Sequence, residues 1–434
     1  MKLETLEAGA LGEWWLPEYP SQRVSGTIIW TSLEGAHLQL LDSITTDPFV
    51  NHSSNSEQTI FGDIDGVPLT LHNATSVSVS LKSSKLTARI SESFRASRLF
   101  IGHHVTPSDI GAIREYQLTS PTYSAWQNQS GITVQAPPVG TGFSQGFSIT
   151  ALQISDRNFV VNDNVELDLR HQVSLHRDIF GNARLAEVTK FCFLGKPNGH
   201  LDFFREQSSR LRDLLSLATG RQVETPETQL IFQQPQVESD FANLIQLLEA
   251  GSDLFDPKPL KSPESFAFRL GEGFESDDFS KWLNMGDRIR SHVRRLLATR
   301  HSQGMYLEDK LHNVAAVLQG MGRDLAENPR EDMQPSLEKV FHFVDEDLRL
   351  GVPDVSKWKK ALADRRNEIS HHDANVSNLE FNTSLSLYYS SYWLAMFACF
   401  KFLDLTPTFS RKVATSGWAQ HETAFAKAYL GRLI

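Results

Sequence analysis

The chain has 434 residues, 40% of them hydrophobic, which is enough for two or three domains with real cores. Its formal net charge of −10 argues against wholesale phosphate binding, so any contact with nucleic acid must use a local basic patch. Its two cysteines, Cys192 and Cys399, are too few and too far apart for a disulfide framework or a thiolate metal site, and a reducing cytosol fits them best.

The opening, "MKLETLEAGALGE", is acidic and lacks the long apolar run of a signal peptide, so a cytoplasmic protein is expected. The first two hundred residues alternate apolar and polar positions with period two, in "GTIIW" from Gly26, "SVSVSLKSSKLTARI" from Ser76 and "NVELDLRHQVSL" from Asn164. "GFSITALQI" and "RLAEVTKFCFLG" add further short runs. "GDIDGVP" and "APPVGTG" supply turn residues between strands. This pattern predicts a sandwich or barrel-like fold. "GTGFSQG" at Gly140 has the wrong glycine spacing for a dinucleotide loop and is read as a turn. Trp14–Trp15 and His103–His104 could serve a ligand, but pairs of this kind more often belong to a core, and the structural reading is preferred for both.

Helical spacing takes over near Asp202. "DFFREQSSRLRDLLSLATGR" predicts one helix ending at a glycine, and "ESDFANLIQLLEAG" from Glu238 predicts another. "DDFSKWLNMGDRIRSHVRRLLATRH" reads as a single helix from Asp277, acidic at its start and basic at its end, as the helix dipole favours. "MYLEDKLHNVAAVLQGMGRDL", "MQPSLEKVFHFVDEDLRL", "DVSKWKKALADRRNEISHHD" and "LEFNTSLSLYYSSYWLAMFACFKFLDL" follow as helices. Serines interrupt the apolar segment Tyr388–Leu403, which falls short of a bilayer span and reads as a buried helix. The expected architecture is α+β and multidomain. Residues 1–200 form a β-rich domain, 201–300 a helical connecting region, and 301–434 a helical bundle.

The chemistry concentrates in "DRRNEISHHD", Asp364 to Asp373. On a regular helix Arg366 and His371 stand about 140° apart and do not share a face. Asn367 and His371, at i and i+4, do, and so do Arg365 and His372. An asparagine so placed can hold an imidazole and fix its orientation. Histidine moves protons near neutral pH, and arginine stabilises charge on a phosphoryl group. The set suits phosphodiester cleavage, though a charged helix surface would have the same composition. No metal or other cofactor is expected, because consecutive residues such as His371, His372 and Asp373 point apart on a helix.

The pattern R-N-x-x-x-H in "RNEISHHD" resembles the signature of the HEPN superfamily, in which the arginine and histidine form a ribonuclease site. "MYLEDKLHNVAAVLQGM" resembles the first helix of the ApeA-type HEPN domain, and the apolar helix after the motif resembles its last. "GEWWLPEYP" with "VSGTIIW" resembles the opening of the ApeA N-terminal domain, and "FREQSSRLRDLLSLATGR" resembles its closing helix. The resemblance therefore runs in order over nearly the whole chain.

It implies a β-rich domain ahead of an all-α HEPN bundle, with the bundles of two protomers facing each other in a homodimer or higher oligomer. That composite cleft would answer the 140° separation. The implied reaction is metal-independent cleavage of RNA, tRNA being one candidate, to a 2′,3′-cyclic phosphate and a 5′-hydroxyl. His371 would be the acid–base group, Arg366 the phosphate stabiliser and Asn367 the orienting residue. His372, which offers an alternative spacing to Arg366, Asp373 and Glu308 would support them. Arg365, Arg294 and Arg295 are candidate RNA contacts, although for the helix of Arg294 and Arg295 the simpler account pairs its arginines with nearby acids. The family context is antiphage abortive infection, with a phage-derived trigger and an N-terminal domain that restrains the nuclease. The competing expectation is a non-catalytic module, in which the bundle serves assembly and the β domain recognises a ligand or phage protein. A carbohydrate-binding sandwich is a third reading, disfavoured because no signal peptide would deliver it to extracellular glycans.

Overall fold

The computed structural model describes residues 3–44, 57–83, 88–127, 129–135, 148–177, 183–233, 244–251, 266–302, 304–371 and 381–433. The chain divides into two compact units. One comprises Met1–Ser124, Gln129–Ser208 and Glu224–Lys258; the other comprises Ala125–Asn128, Ser209–Val223 and Pro259–Ile434. The helical unit thus takes in residues 277–300, which the sequence suggested as part of a connecting region. The β unit extends past residue 200.

The β unit begins with a short helix, α1 (Leu3–Glu7), followed by β1 (Ala10–Trp15), β2 (Val24–Thr31), β3 (Gly35–Leu40), β4 (Gln58–Ile64), β5 (Val67–Ser83) and β6 (Ala88–Ala96). These six strands close on themselves through antiparallel pairs, in the circular order β1-β2-β3-β6-β5-β4. Of the expected sandwich or barrel-like fold these strands take the barrel form, with every strand edge of the ring paired. The alternation in β2 is what fills it: Gly26, Ile28 and Trp30 point inward while Thr27, Ile29 and Thr31 face out. Trp14, Ile28, Leu38, Leu40, Ile60, Leu69, Leu71 and Phe94 form the core. Asp65 and Gly66, both at positive φ, make the tight β4–β5 turn that "DG" signals in the sequence.

The same sheet continues beyond the barrel. β7 (Arg98–Ile101), β8 (Ile113–Thr119), β11 (Arg157–Asn162), β12 (Val165–Arg177), β13 (Ala183–Gly199), β14 (Glu227–Phe232) and β15 (Ile245–Glu249) extend it in the order β7-β15-β14-β8-β13-β12-β11. A separate hairpin pairs β9 (Ile132–Gln135) with β10 (Ser148–Ala151). Over Ile245–Glu249 strand β15 corrects the helix expected in "ESDFANLIQLLEAG", whose first six residues lie outside the described residues. Ile245 and Leu247 are buried alternately, and the strand pairs with β14 on one side and β7 on the other. Its partners lie far away in sequence, so tertiary pairing overrides local helical spacing.

Between these strands lie α2 (Pro121–Trp126) and α3 (Leu201–Thr219), the latter ending at Gly220 with φ +67°. In the helical unit β16 (Arg269–Leu270) and β17 (Gly273–Phe274) form a small parallel pair. Then come α4 (Ser276–Leu283), α5 (Asp287–His301), α6 (Leu307–Ala326), α7 (Met333–Phe343), α8 (Val355–His371), α9 (Phe381–Phe402), α10 (Pro407–Ala414) and α11 (Gly417–Leu433). The single helix expected from Asp277 is in fact two. The chain breaks at Asn284–Gly286, where Gly286 takes extended backbone at the N-cap of α5. Helix α9 is buried on every face from Ser390 to Phe400, as its nearly continuous apolar sequence requires. Among the described residues no helix is long and apolar enough to cross a membrane.

Candidate active site

The motif occupies the last third of α8. Asp354 begins that helix by accepting a hydrogen bond from the Lys357 backbone N–H at 3.1 Å. Trp358, fully buried, donates its indole N–H to the Ser390 hydroxyl of α9 at 3.2 Å, and Leu362 and Ala363 are buried one turn later. The first half of α8 is thus anchored in the core, and the motif is carried out from a fixed base.

Arg365 is only 7% exposed. Its guanidinium pairs with Glu368 one turn along at 3.0 Å and with Glu308 of α6 at 3.6 Å. Expected to reach RNA, Arg365 instead ties α8 to α6. Glu308, expected to point toward the motif, meets it through this arginine. Arg366 is half-buried and donates to the Asn367 amide oxygen at 3.2 Å; Asn367 itself is exposed. His371 is the last residue of α8, so the helix carries Asn367 and His371 four positions apart. The His371 side chain, and His372 and Asp373 entirely, lie outside the described residues.

The basic helix expected to track RNA is largely engaged within its own unit. Arg288 pairs with Asp324, and Arg300 with Glu422. Arg290 and Arg294 lie near Asp213 of α3, whose carboxyl is nevertheless pushed up to about 6 because burial outweighs their attraction. Arg295 donates from Nε to the Asn313 amide oxygen of α6 at 2.7 Å.

One further residue, outside the R-N-x-x-x-H pattern, stands beside the motif. His312 lies one turn after Glu308 on α6 and is half-buried. Its Nδ1 is buried with no hydrogen-bond partner among the described residues. Burial, then the charges of Arg366 and Arg295, hold its pKa below the ordinary value, with Asp309 acting the other way. In "YLEDKLHN", Glu308 and His312 share the helix face that meets α8, but nothing in that stretch singles the histidine out.

Of the other aromatic and histidine pairs, Trp14, Trp15 and His104 are structural. Trp14 is fully buried and donates to the Gly26 carbonyl at 3.2 Å; Trp15 is 4% exposed. His104 stacks on Phe61 and bonds the Gly62 carbonyl oxygen at 3.0 Å. Both cysteines are buried, and burial pushes their thiols far above the ordinary range, which removes them as nucleophiles near neutral pH. Among the described residues no three His, Cys, Asp or Glu side chains converge as metal ligands.

The family model described as ApeA N-terminal domain 1 matches residues 9–284. That stretch begins just before β1 and ends just after α4. The comparisons with curated proteins and with solved structures returned no match.

Proposed function

The chain belongs to the ApeA N-terminal domain 1 family, and from that premise we propose that it is an antiphage defence effector whose helical unit is a HEPN-type endoribonuclease. The observation that carries the reading is the set Arg366, Asn367 and His371 on the last turns of a helix whose first half is fixed in the core. A site of this kind needs a rigid scaffold behind the reacting groups and open space before them.

In the proposed reaction the 2′-hydroxyl oxygen of the RNA attacks the adjacent phosphorus while a histidine takes its proton. The bond from phosphorus to the 5′ oxygen breaks, and that oxygen leaves with a proton from a second acid. The products are a 2′,3′-cyclic phosphate and a 5′-hydroxyl, and no water is consumed. His371 serves as the proton-transfer group, and Arg366 stabilises charge on the phosphoryl oxygens. A second protomer supplies the other histidine, so the active form is a homodimer or larger. The β unit restrains the nuclease until a phage-derived trigger appears, as an RNase in its own host's cytoplasm requires.

The test is expression of the wild type and of His371→Ala in a bacterial host, with phage challenge and sequencing of RNA ends that carry 2′,3′-cyclic phosphate. New ends that vanish in the variant support the nuclease and identify its RNA, tRNA among the candidates. Protection without new ends, unchanged in the variant, overturns it in favour of a non-catalytic recognition module.

A further inference from the structure

Among the described residues of the helical unit two large apolar side chains are exposed, Tyr306 at 77% and Phe381 at 68%, and both are aromatic. Apolar side chains are scattered over any protein surface, but these two sit at one end of the unit. Tyr306 is the N-cap of α6, and its side chain makes no capping hydrogen bond. It stands two residues before Glu308, whose carboxylate meets Arg365 of α8 at 3.6 Å. Phe381 is the first residue of α9. Three contacts fix the direction in which α9 passes α8: the Phe402 ring lies 4.7 Å from that of Phe343, Lys401 pairs with Asp345, and Ser390 accepts from Trp358. Moving back along α9 from Phe402 to Ser390 thus matches moving forward along the chain from Phe343 to Trp358, so α8 and α9 run antiparallel. From Trp358 to Arg366 the helix rises about 12 Å, and from Ser390 back to Phe381 about 14 Å. Phe381 therefore comes level with Arg366 and Asn367, at the end of the unit where Glu308 places Tyr306.

We propose that Tyr306 and Phe381 are stacking platforms that hold two unpaired bases of a single-stranded RNA beside the motif. The proposal rests on the nuclease reading for its substrate, but stacking proceeds without the reacting histidine. Every nucleobase has a π-face that an aromatic ring can take up whatever the sequence, and only an unpaired base can be splayed onto such a ring. A chain of net charge −10 gains little from a general attraction for phosphates. Arg365, a basic residue of the motif stretch, is committed to Glu308 and Glu368. Stacking supplies affinity where charge supplies little. One ring stands on the α6 side of the motif and the other on the α9 side, so a strand held by both has its backbone against the last turns of α8. Tyr306 and Phe381 bind the strand, and neither moves a proton.

The experiment uses the full chain carrying His371→Ala, so that RNA is bound and not cut. The probe is a short single-stranded oligoribonucleotide containing 2-aminopurine, whose fluorescence stacking quenches. Binding should quench it. Tyr306→Leu and Phe381→Leu keep apolar bulk and lose the ring; each should weaken binding about 5- to 150-fold and relieve the quenching, whereas Tyr306→Trp keeps both. The loss should be equal at every salt concentration, because no phosphate contact is removed. Both side chains are exposed, so melting temperatures should be unchanged, which separates lost stacking from lost folding. Failure to bind, or quenching that survives both Leu substitutions, overturns the platform. Equal affinity for the same sequence as a duplex, whose bases are not free to stack, also overturns it. So does self-association that the two Leu substitutions abolish while RNA affinity stays the same, which assigns the rings to an interface between copies of this chain. The two readings fail separately. Quenched binding without cleavage by the wild type sinks the nuclease and leaves the platform, whereas cleavage at unchanged KM in the double Leu variant sinks the platform and leaves the nuclease.

Discussion

Glu308 and Arg365 stand 3.6 Å apart, joining the start of α6 to α8 one residue ahead of Arg366. The two ends of this bridge differ in burial: the Arg365 side chain is 9% exposed and that of Glu308 is 50% exposed. A solvated carboxylate loses little when neutralised, whereas a buried guanidinium holds several groups at once. Glu308→Gln should therefore cost under about 1 kcal/mol of stability. Arg365→Met should cost about 1–3 kcal/mol, because it removes both charge-assisted bonds of a buried guanidinium at once. Urea denaturation of the two variants checks the asymmetry, and equal costs would contradict it.

A second arginine is held still more firmly. Arg300 meets Glu422 through two parallel bonds of 2.9 and 3.0 Å, and its guanidinium lies 4.1 Å from the centre of the Trp418 ring. Glu422 also accepts from the Trp393 indole at 2.9 Å. A lysine can reproduce neither the fork nor the flat stacking. Arg300→Lys should lower stability by about 2–4 kcal/mol, read as a fall in melting temperature, despite the conserved charge. A loss within about 0.5 kcal/mol, typical of surface positions, would show that charge alone matters there.

His301, the neighbour of Arg300, makes stability depend on acid. Burial, then the adjacent guanidinium, lowers its pKa to about 3 from an ordinary 6.5. The unfolded chain therefore binds a proton that the folded chain refuses. The contribution of this neutral histidine is fully present above about pH 6.5 and is lost as pH falls toward 3, at up to about 1.4 kcal/mol for each pH unit. His301→Phe cannot titrate, so its melting temperature should fall less than the wild type's between pH 7 and pH 5. Parallel pH dependences in the two proteins would rule this out.

What could be read from the sequence follows from where each signal originates. Helix α9 announced itself because a run from Tyr388 to Leu403 with almost no charge must be buried on every side. The barrel strands announced themselves because one wet face and one dry face force alternation, as in Ile28 and Trp30 against Thr27 and Ile29. Strand β15 did not, because Ile245 and Leu247 are paired by β7 and β14, whose positions no local window contains. The break before α5 was visible only as Gly286, a residue that a helix can also tolerate. The motif itself was readable as chemistry, but His312 was not. Its lowered pKa comes from burial and then from Arg366 and Arg295, 54 residues after it and 17 before it, which only folding brings near.

Two glycines two residues apart on α6 should respond oppositely to the same substitution. A Cβ on Gly322 would stand 2.3 Å from the Ser336 carbonyl oxygen of α7, a backbone atom that cannot move aside without shifting the helix. Ser336 is fully buried, so the clash has no solvent to relax into. Gly322→Ala should destabilise the protein by about 1–3 kcal/mol through overpacking. A Cβ on Gly320 would instead meet the His292 ring at 3.1 Å, the end of a side chain that can turn. Relief of the glycine entropy cost in a helix interior should then dominate, and Gly320→Ala should be neutral or stabilise by up to about 1 kcal/mol. Denaturation midpoints of the two variants decide the matter. Stabilisation by Gly322→Ala would mean that α6 and α7 do not pack through this backbone contact, and with it would go the fixed position of α6 on which Glu308, His312 and their meeting with α8 depend.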